Sequence, residues 1–561
     1  MNKSSSESTV TNCDVLIVGG GIAGLFAAWR LLSAGNGKYS VVVVEKLGRT
    51  GGRLQTTTVA IKDPANKNQL VEVKDEEGGM RFVPDGSGMG NLWKLIKTFN
   101  NLKTVPFVMG DSNNRYYFRG QSFTSGDAET GNIWKMLYDL APNEENKKPT
   151  DILSEVMNTI LDQNGKAALP NTPDKWIDFR NKFTYKDPTG NPVLINKWGF
   201  WSLLRCYGLT EECITCLNHA IGFMGPFESF INAGAALQII FDFPAAVSFF
   251  TLEKGYESLP DAVADDIRKM GGKIITGENI VSLTEEGNGI SALGSTNSYN
   301  AKKVILAIPQ KPLKKIMDTS PFLSKNEKFV TAVHSVQNME LSKVGLYFNE
   351  RWWHSNPKIN LTNGPGFTDL PIGSVYCFSQ FPNDDGADKN YNGPAALTLY
   401  TDYTRGNFWK EMQNIGPHYS PEGVDQPANT CPASVNLVNE VLAQLKMLFG
   451  MEANETVPMP VLSTYRVWGE NESYNTGDYD YGYHQYKVNR NDGEEVYPHI
   501  SSPAQNVFVC NEAWSPEQGW VEGSLIMSDS VMQKGFNLPP FIPKPAEAPE
   551  PGRKKIKINK F

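Results

Sequence analysis

Gly19-Gly20-Gly21-Ile22-Ala23-Gly24 is the first stretch of the 561-residue chain whose spacing carries chemistry. It fits G-x-G-x-x-G. Gly19 permits a tight turn, and Gly21 lets backbone N–H groups approach a pyrophosphate. Gly24, after Ala23, lets the following helix pack on its strand. Glu45 stands 21 residues past Gly24. A carboxylate there accepts both ribose hydroxyls and disfavours a 2′-phosphate. Lys46 follows, and then Gly51-Gly52-Arg53, a second glycine turn ending in a forked cation suited to phosphate. Lys343 is a lone cation in the apolar run 339–348. Burying an ammonium is costly, so its pKa is expected to fall. Cys213, Cys216 and His219 lie at i, i+3 and i+6, on one helix face. Structural zinc needs four ligands, so these three are read as core packing. The sequence contains no G-x-S-x-G, H-E-x-x-H or P-loop pattern.

The elements that must position these residues follow from the pattern around them. Residues 14–18 read as a buried strand, 22–33 as a helix and 41–44 as a second buried strand, a βαβ unit that opens a parallel sheet. Helix-like segments at 151–162, 211–223 and 227–241, among Pro/Asn/Lys loops, read as a helical insertion. Strands are expected at 247–252, 273–276, 280–283 and 304–307, with a helix at 258–270. A second β-rich stretch holds strands at 342–348, 374–378 and 395–400, then a helix at 435–449. A last strand (506–510) and a last helix (523–534) close the pattern. The first twelve residues are polar and expected to be loose. The Pro-rich, basic tail from 539 lacks apolar residues to pack and is expected to be disordered.

Composition narrows the function classes. Hydrophobic residues at 40% and charged residues at 20% exclude wholesale disorder, collagen and coiled coil. Lys+Arg number 53 against 61 Asp+Glu, a net charge of −8 that argues against nucleic acid as a partner. Seven cysteines are sparse and odd in number, which favours reduced thiols. The start has no apolar signal-peptide region. The longest apolar stretch, 233–250, is interrupted by Gln238, Asp242 and Pro244, so no membrane span is expected. A cytoplasmic location is the expectation.

Together, the glycine motif and the run Glu45-Lys-Leu-Gly-Arg-Thr-Gly-Gly-Arg53 resemble the two-dinucleotide-motif flavoproteins of the flavin amine oxidase superfamily. The likeness is greatest to FAD-dependent L-amino-acid oxidases. Asn506-Val-Phe-Val-Cys-Asn-Glu512, Trp514 and Gln518-Gly-Trp-Val-Glu-Gly523 resemble the closing FAD motif of that family, with Asn511 where the family has glycine. The resemblance implies an α/β fold: a Rossmann-like FAD-binding domain, a β-rich substrate domain and a helical insertion. Residues 12–60, 247–335 and 460–538 would form the FAD domain and 61–124 with 336–459 the substrate domain. The insertion would be 125–246, followed at the end of the chain by a tail, 539–561.

The resemblance also assigns roles. Gly52, Arg53, Gly79, Met80 and Arg81 would pass the cofactor, and Ile280 would contact adenine through its backbone. Glu512 would meet the ribityl region. Gly519, Trp520 and Val521 would approach the flavin, with the helix start lending positive dipole. In Glu76-Glu-Gly-Gly-Met-Arg-Phe82, Arg81 matches the arginine that grips a substrate α-carboxylate; pairing with Glu76 or Glu77 is the structural alternative. Tyr376, or Cys377 in the neighbouring register, would add a contact to that carboxylate. The Gly519 carbonyl would hold the amine, Trp520 and Trp468 would wall the chamber, and Lys343 would hold a water at flavin N5. Glu211, Glu212, Glu228 or Asp242 would favour a basic substrate if they faced the chamber, although capping or solvated roles fit them better. The expected activity is oxidation of L-amino acids to 2-oxo acids, with ammonia and hydrogen peroxide released. An amine or polyamine oxidase, an amino-acid oxidase/monooxygenase and a flavin-bearing protein without turnover are the alternatives. The expected partners are a small L-amino acid and O2. Family members are often homodimers, which this sequence does not itself encode.

Overall fold

A computed structural model describes the chain except residues 1–9, 36, 111, 131, 242–248, 378–390, 403, 422, 470–481 and 544–561. Two seven-stranded sheets organise it. The first is built on Val10–Val18, which pairs in parallel with Val41–Glu45 on one side and Ser298–Leu306 on the other. Lys273–Thr276 extends the sheet beyond Val41–Glu45, and Val507–Val509 adds in parallel to Val304–Leu306. Strands Ile280–Glu286 and Gly289–Gly294 form an antiparallel hairpin on the remaining edge. All five residues of Val41–Glu45 are buried, as a parallel strand covered on both faces requires. The covering helices include Ile22–Ala34 and Val521–Phe536, which pack on each other.

The second sheet runs Leu462–Trp468, Leu341–Phe348, Ala395–Asp402, Ser374–Tyr376, Pro365–Thr368, Arg115–Phe118 and Gln121–Thr124 in spatial order. Lys343 sits in its second strand, opposite Tyr400 on one side and Arg466 on the other. A helical layer, including Pro149–Gln163, Pro173–Lys182, Phe200–Tyr207, Glu211–Ile221 and Ala233–Phe241, shares its own apolar core. Among the described residues, no helix is long and apolar enough to cross a membrane.

Several expected elements differ. The first strand begins at Val10, because Ser298–Asn300 supplies it with a partner. The helix expected over 227–241 is two helices, Gly225–Glu228 and Ala233–Phe241. Between them Ile231 bridges to Lys487, and the Asn232 side chain accepts the Ala235 N–H at 2.8 Å, capping a new helix. Leu462–Trp468, grouped with the FAD-binding segments from sequence, hydrogen-bonds into the second sheet. The tail does not become loose at 539. Phe541 is buried against Phe26 and Trp29, its N–H donates to Asp529, and the Pro539 carbonyl accepts from Arg30. Residues 544–561, like 247–248 of one expected strand, lie outside the described residues.

Candidate active site

The glycine turn sits where the first strand of the first sheet feeds its helix. Gly19 has φ +109°, and a side chain there would meet the Ala307 carbonyl at 2.6 Å. At Gly24 a Cβ would lie 2.0 Å from the Gly19 carbonyl oxygen, so this glycine lets loop and helix close on each other. Gly21 is different: a Cβ there would meet nothing nearer than 3.8 Å. It faces the cavity beside the N-terminus of the 13-residue helix Ile22–Ala34, where free N–H groups and the helix dipole favour an anion. The second glycine turn abuts the first, since the Gly51 N–H donates to the Gly20 carbonyl at 2.9 Å. Arg49 fixes that turn through the carbonyls of Thr50 and Gly52.

Glu45 is buried at the end of its strand. Its carboxylate accepts the Gly20 N–H at 2.6 Å and the Leu47 N–H at 2.8 Å, while burial pushes its pKa up. Arg53 donates to the Glu512 carboxylate and to the Gly482 carbonyl. The same Glu512 oxygen, Oε1, lies 2.9 Å from His484 Nδ1. A carboxylate only accepts, so that ring nitrogen carries the proton. Burial alone would raise the Glu512 pKa, but Arg53 and His484 outweigh it and hold the carboxyl at about 2. Its other oxygen, Oε2, is buried without a hydrogen-bond partner. Asn511 takes an extended backbone that needs no glycine, and its side chain accepts the Ala513 N–H at 3.1 Å.

These groups line one continuous cavity of about 880 Å³, near the top of the range for small-molecule sites. Its lining includes Gly19, Gly21, Ala23, Glu45, Lys46, Gly52, Arg53, Ile280 and Glu512. Gly79, Met80, Arg81, Lys343, Tyr376, Trp468, Gly519, Trp520 and Val521 line it as well. Of the residues expected to hold the cofactor, Gly24 alone lies outside this lining, packed beneath the loop.

Arg81 is half-buried. Its guanidinium carbon lies 5.1 Å from the Phe249 ring centre, 5.6 Å from Tyr376 and 5.7 Å from Phe107, an aromatic cage at cation–π distance. Among the described residues it makes no ion pair, and its Nε is buried without a partner. The acids just before it are engaged elsewhere. Glu76 accepts from the Tyr256 N–H and the Thr56 hydroxyl, and Glu77 from Arg466 and Thr57. Tyr376 faces this cavity, whereas Cys377 packs into the apolar cluster behind the sheet.

Lys343 is buried at 3% exposure. Its Nζ donates to the carbonyls of Glu76 (2.7 Å) and Gly78 (2.6 Å) and lies 4.8 Å from the Tyr400 ring. Burial pushes its pKa down, against the pull of Asp75 and Glu76. Trp468 donates its indole N–H to the Glu77 carbonyl at 2.6 Å. Gly519 has φ +83°, and Trp520 caps the 16-residue helix Val521–Phe536, whose N-terminus meets the cavity.

The remaining candidates lie apart from the cavity. Cys213 and Cys216 pack into two different apolar clusters, and His219 Nδ1 hydrogen-bonds the Tyr138 hydroxyl at 2.8 Å. Glu211 pairs with Arg205, Glu212 with Arg119 and Glu228 with Asn218; none of the three lines the cavity. Asp242 lies outside the described residues. Sequence reasoning missed Phe107, Phe223, Tyr400, Tyr483, Gln485 and His484. The one available signal was alternation in Tyr483–Tyr486, which sends Tyr483 and Gln485 to the cavity and His484 to Glu512.

Comparison with known proteins places this arrangement. The sequence profile of the family described as flavin containing amine oxidoreductase matches residues 22–526. Aplysianin-A of Aplysia kurodai is 22% identical over 93% of this chain and 90% of its own. An L-amino-acid oxidase of Mus musculus is 24% identical over 64% of this chain and 51% of its own. Among solved structures, wild-type putrescine oxidase bound to putrescine superposes with a TM-score of 0.61 at 18% identity, covering 94% of this chain and all of that one. The two abutting glycine turns, the acid at the ribose position and the unpartnered oxygen of Glu512 all fit a bound FAD. The chain belongs to the flavin-containing amine oxidoreductases, with FAD as its cofactor.

Proposed function

We propose that this flavin amine oxidoreductase is an L-amino-acid oxidase, converting L-amino acids to 2-oxo acids with release of ammonia and hydrogen peroxide. One observation carries the reading: Arg81 lines the cavity inside an aromatic cage, and no carboxylate among the described residues is paired to it. Apolar surroundings strengthen the pull of such a cation on an anion. A substrate α-carboxylate supplies that anion and receives parallel hydrogen bonds from the guanidinium fork. A simple amine supplies none. The segmental arrangement of an FAD domain, a substrate domain and a helical insertion belongs to the same proposal.

FAD, when bound, supplies the two-electron acceptor for the hydride that leaves Cα. Arg81 orients the substrate through its carboxylate, with Tyr376 beside it. The Gly519 carbonyl accepts from the amine, and Trp468 and Trp520 exclude water. Fixing two points of the amino acid sets the direction of the Cα–H bond, and positioning of this kind supplies much of the rate. Lys343 spends two hydrogen-bonding positions of Nζ on backbone carbonyls. The third faces the cavity, as an N–H when charged or a lone pair when neutral. With its pKa lowered by burial, Lys343 holds or takes up a proton there.

The test is anaerobic bleaching of the flavin by a free L-amino acid, compared with its decarboxylated amine. Bleaching by the amino acid alone is expected. Bleaching by the amine alone overturns the reading in favour of an amine oxidase. That second reading draws on the putrescine oxidase neighbours; among the described acids that line the cavity, Glu129 pairs with Lys148 and Glu278 accepts from Ser295 and Asn297.

A further inference from the structure

Strand Tyr483–Tyr486 turns alternate side chains in opposite directions. His484 points to Glu512, and Tyr486 places its hydroxyl between Tyr497 and the Ser515 carbonyl. Tyr483 and Gln485 point into the cavity. Tyr483 stands beside Gly519, where a Cβ would lie 3.5 Å from its ring. Gln485 lies two residues on, about 7 Å along the strand. There the helical layer meets this strand, which pairs with Val336–Met339, since the Asn232 N–H donates to the Tyr486 carbonyl at 3.0 Å and Ile239 and Ile240 line the same cavity.

Gln485 is 3% exposed and lines the cavity, and no hydrogen bond of its side-chain amide is seen among the described residues. Nearby Gln518 shows what a satisfied amide looks like here: its oxygen accepts the Tyr486 N–H and its nitrogen donates to the Ala513 carbonyl. An amide carries two N–H donors and one acceptor oxygen. Gln485 therefore presents both kinds of group to whatever fills the cavity, whose lining also includes Tyr483, Phe223, Ile239 and Ile240.

We propose that Gln485 is a specificity-determining residue. It binds the end of the substrate side chain and selects uncharged side chains that both donate and accept hydrogen bonds, such as carboxamides. The proposal rests on the amino-acid-oxidase reading, because a substrate held by Arg81 and the Gly519 carbonyl leaves its side chain to be read by another part of the cavity lining. A site built to hydrogen-bond a polar group discriminates strongly against an isostere that lacks it.

Isosteric pairs test it on the FAD-loaded full chain: L-asparagine against L-leucine, and L-glutamine against L-homoleucine. The wild type is expected to favour the amide in at least one pair. Gln485→Leu should lower the amide-to-hydrocarbon ratio of kcat/KM at least tenfold, chiefly through KM, with FAD content unchanged. Gln485→Met, unbranched and of similar length, serves if the leucine variant does not fold. A ratio that moves less than tenfold overturns the proposal. So does an equal fall in both members of a pair accompanied by FAD loss, which would assign the amide to the cofactor. Flavin reduction by amines but by no amino acid sinks the Arg81 reading first, and this proposal with it.

Discussion

The two ends of the cavity treat their charges in opposite ways. At the cofactor end, Arg53 is closed against Glu512, His484 shares the same oxygen, and Glu45 is fastened by two backbone N–H groups. At the end where we propose that substrate binds, Arg81 is surrounded by rings and meets no acid among the described residues. A resident cofactor can be met by a finished electrostatic frame. A substrate that comes and goes is better met by a cation whose counter-ion it brings itself. Acids are close in sequence to Arg81, yet the fold spends Glu77 on Arg466 and Glu76 on backbone and hydroxyl groups.

The largest expected effect breaks the cofactor end alone. Gly24→Val would drive a side chain into the Gly19 carbonyl, 2.0 Å from where its Cβ must sit. Neither backbone can yield without opening the turn, so the purified variant should retain no FAD after desalting, read by its visible absorbance. Full retention would show that this loop does not hold the cofactor.

Next is Arg81→Ala, which should spare the cofactor and empty the substrate end. Losing one partner of a desolvated, hydrogen-bonded charge pair costs about 3–4 kcal/mol, some hundredfold or more in kcat/KM for L-amino acids. FAD content should match the wild type. Unchanged KM for amino acids would remove Arg81 from the carboxylate role and with it the contrast between the two ends.

Glu512→Gln probes the closed frame through pH. Its folded pKa, about 2, lies below the ordinary 4.5, so its stabilisation is complete above about pH 4.5 and disappears as the pH falls toward 2. The amide variant cannot titrate. The stability gap between wild-type and variant apoprotein should therefore narrow by roughly 3 kcal/mol between neutral pH and pH 2, measured by urea unfolding. A gap that does not change with pH would mean that Arg53 and His484 do not hold this carboxylate ionised.

The same contrast explains what the sequence discloses. The glycine turn, Glu45 and Gly51–Arg53 fall within 35 residues, and their spacing follows from one βαβ unit, so local pattern alone points to a nucleotide. The proposed substrate end gathers Arg81, Phe107, Phe249, Lys343 and Tyr376, contributed by strands and loops far apart in sequence. No local periodicity encodes such a gathering. Arg81 was reached only through family resemblance, and Gln485 not at all. Other misses are also tertiary. The 227–241 helix breaks because Ile231 and Asn232 find partners near residue 487, and Phe541 docks because Phe26 and Trp29 leave it a place.

The smallest expected effect separates two contributions inside the substrate end. Tyr376 lines the cavity, sets its ring 5.6 Å from the Arg81 guanidinium and carries a buried hydroxyl. Tyr376→Phe keeps the ring and removes only the hydroxyl. The loss of one hydrogen bond is worth about 1 kcal/mol, so KM for L-amino acids should rise about fivefold with kcat little changed. Tyr376→Leu removes the ring as well and should cost more, because the guanidinium then loses part of the cage that orients it without neutralising it. Equal effects from the two variants would assign the whole contribution to the hydroxyl. A silent Tyr376→Phe beside a damaging Tyr376→Leu would instead make Tyr376 a wall that positions Arg81, leaving the guanidinium as the group that reads the carboxylate.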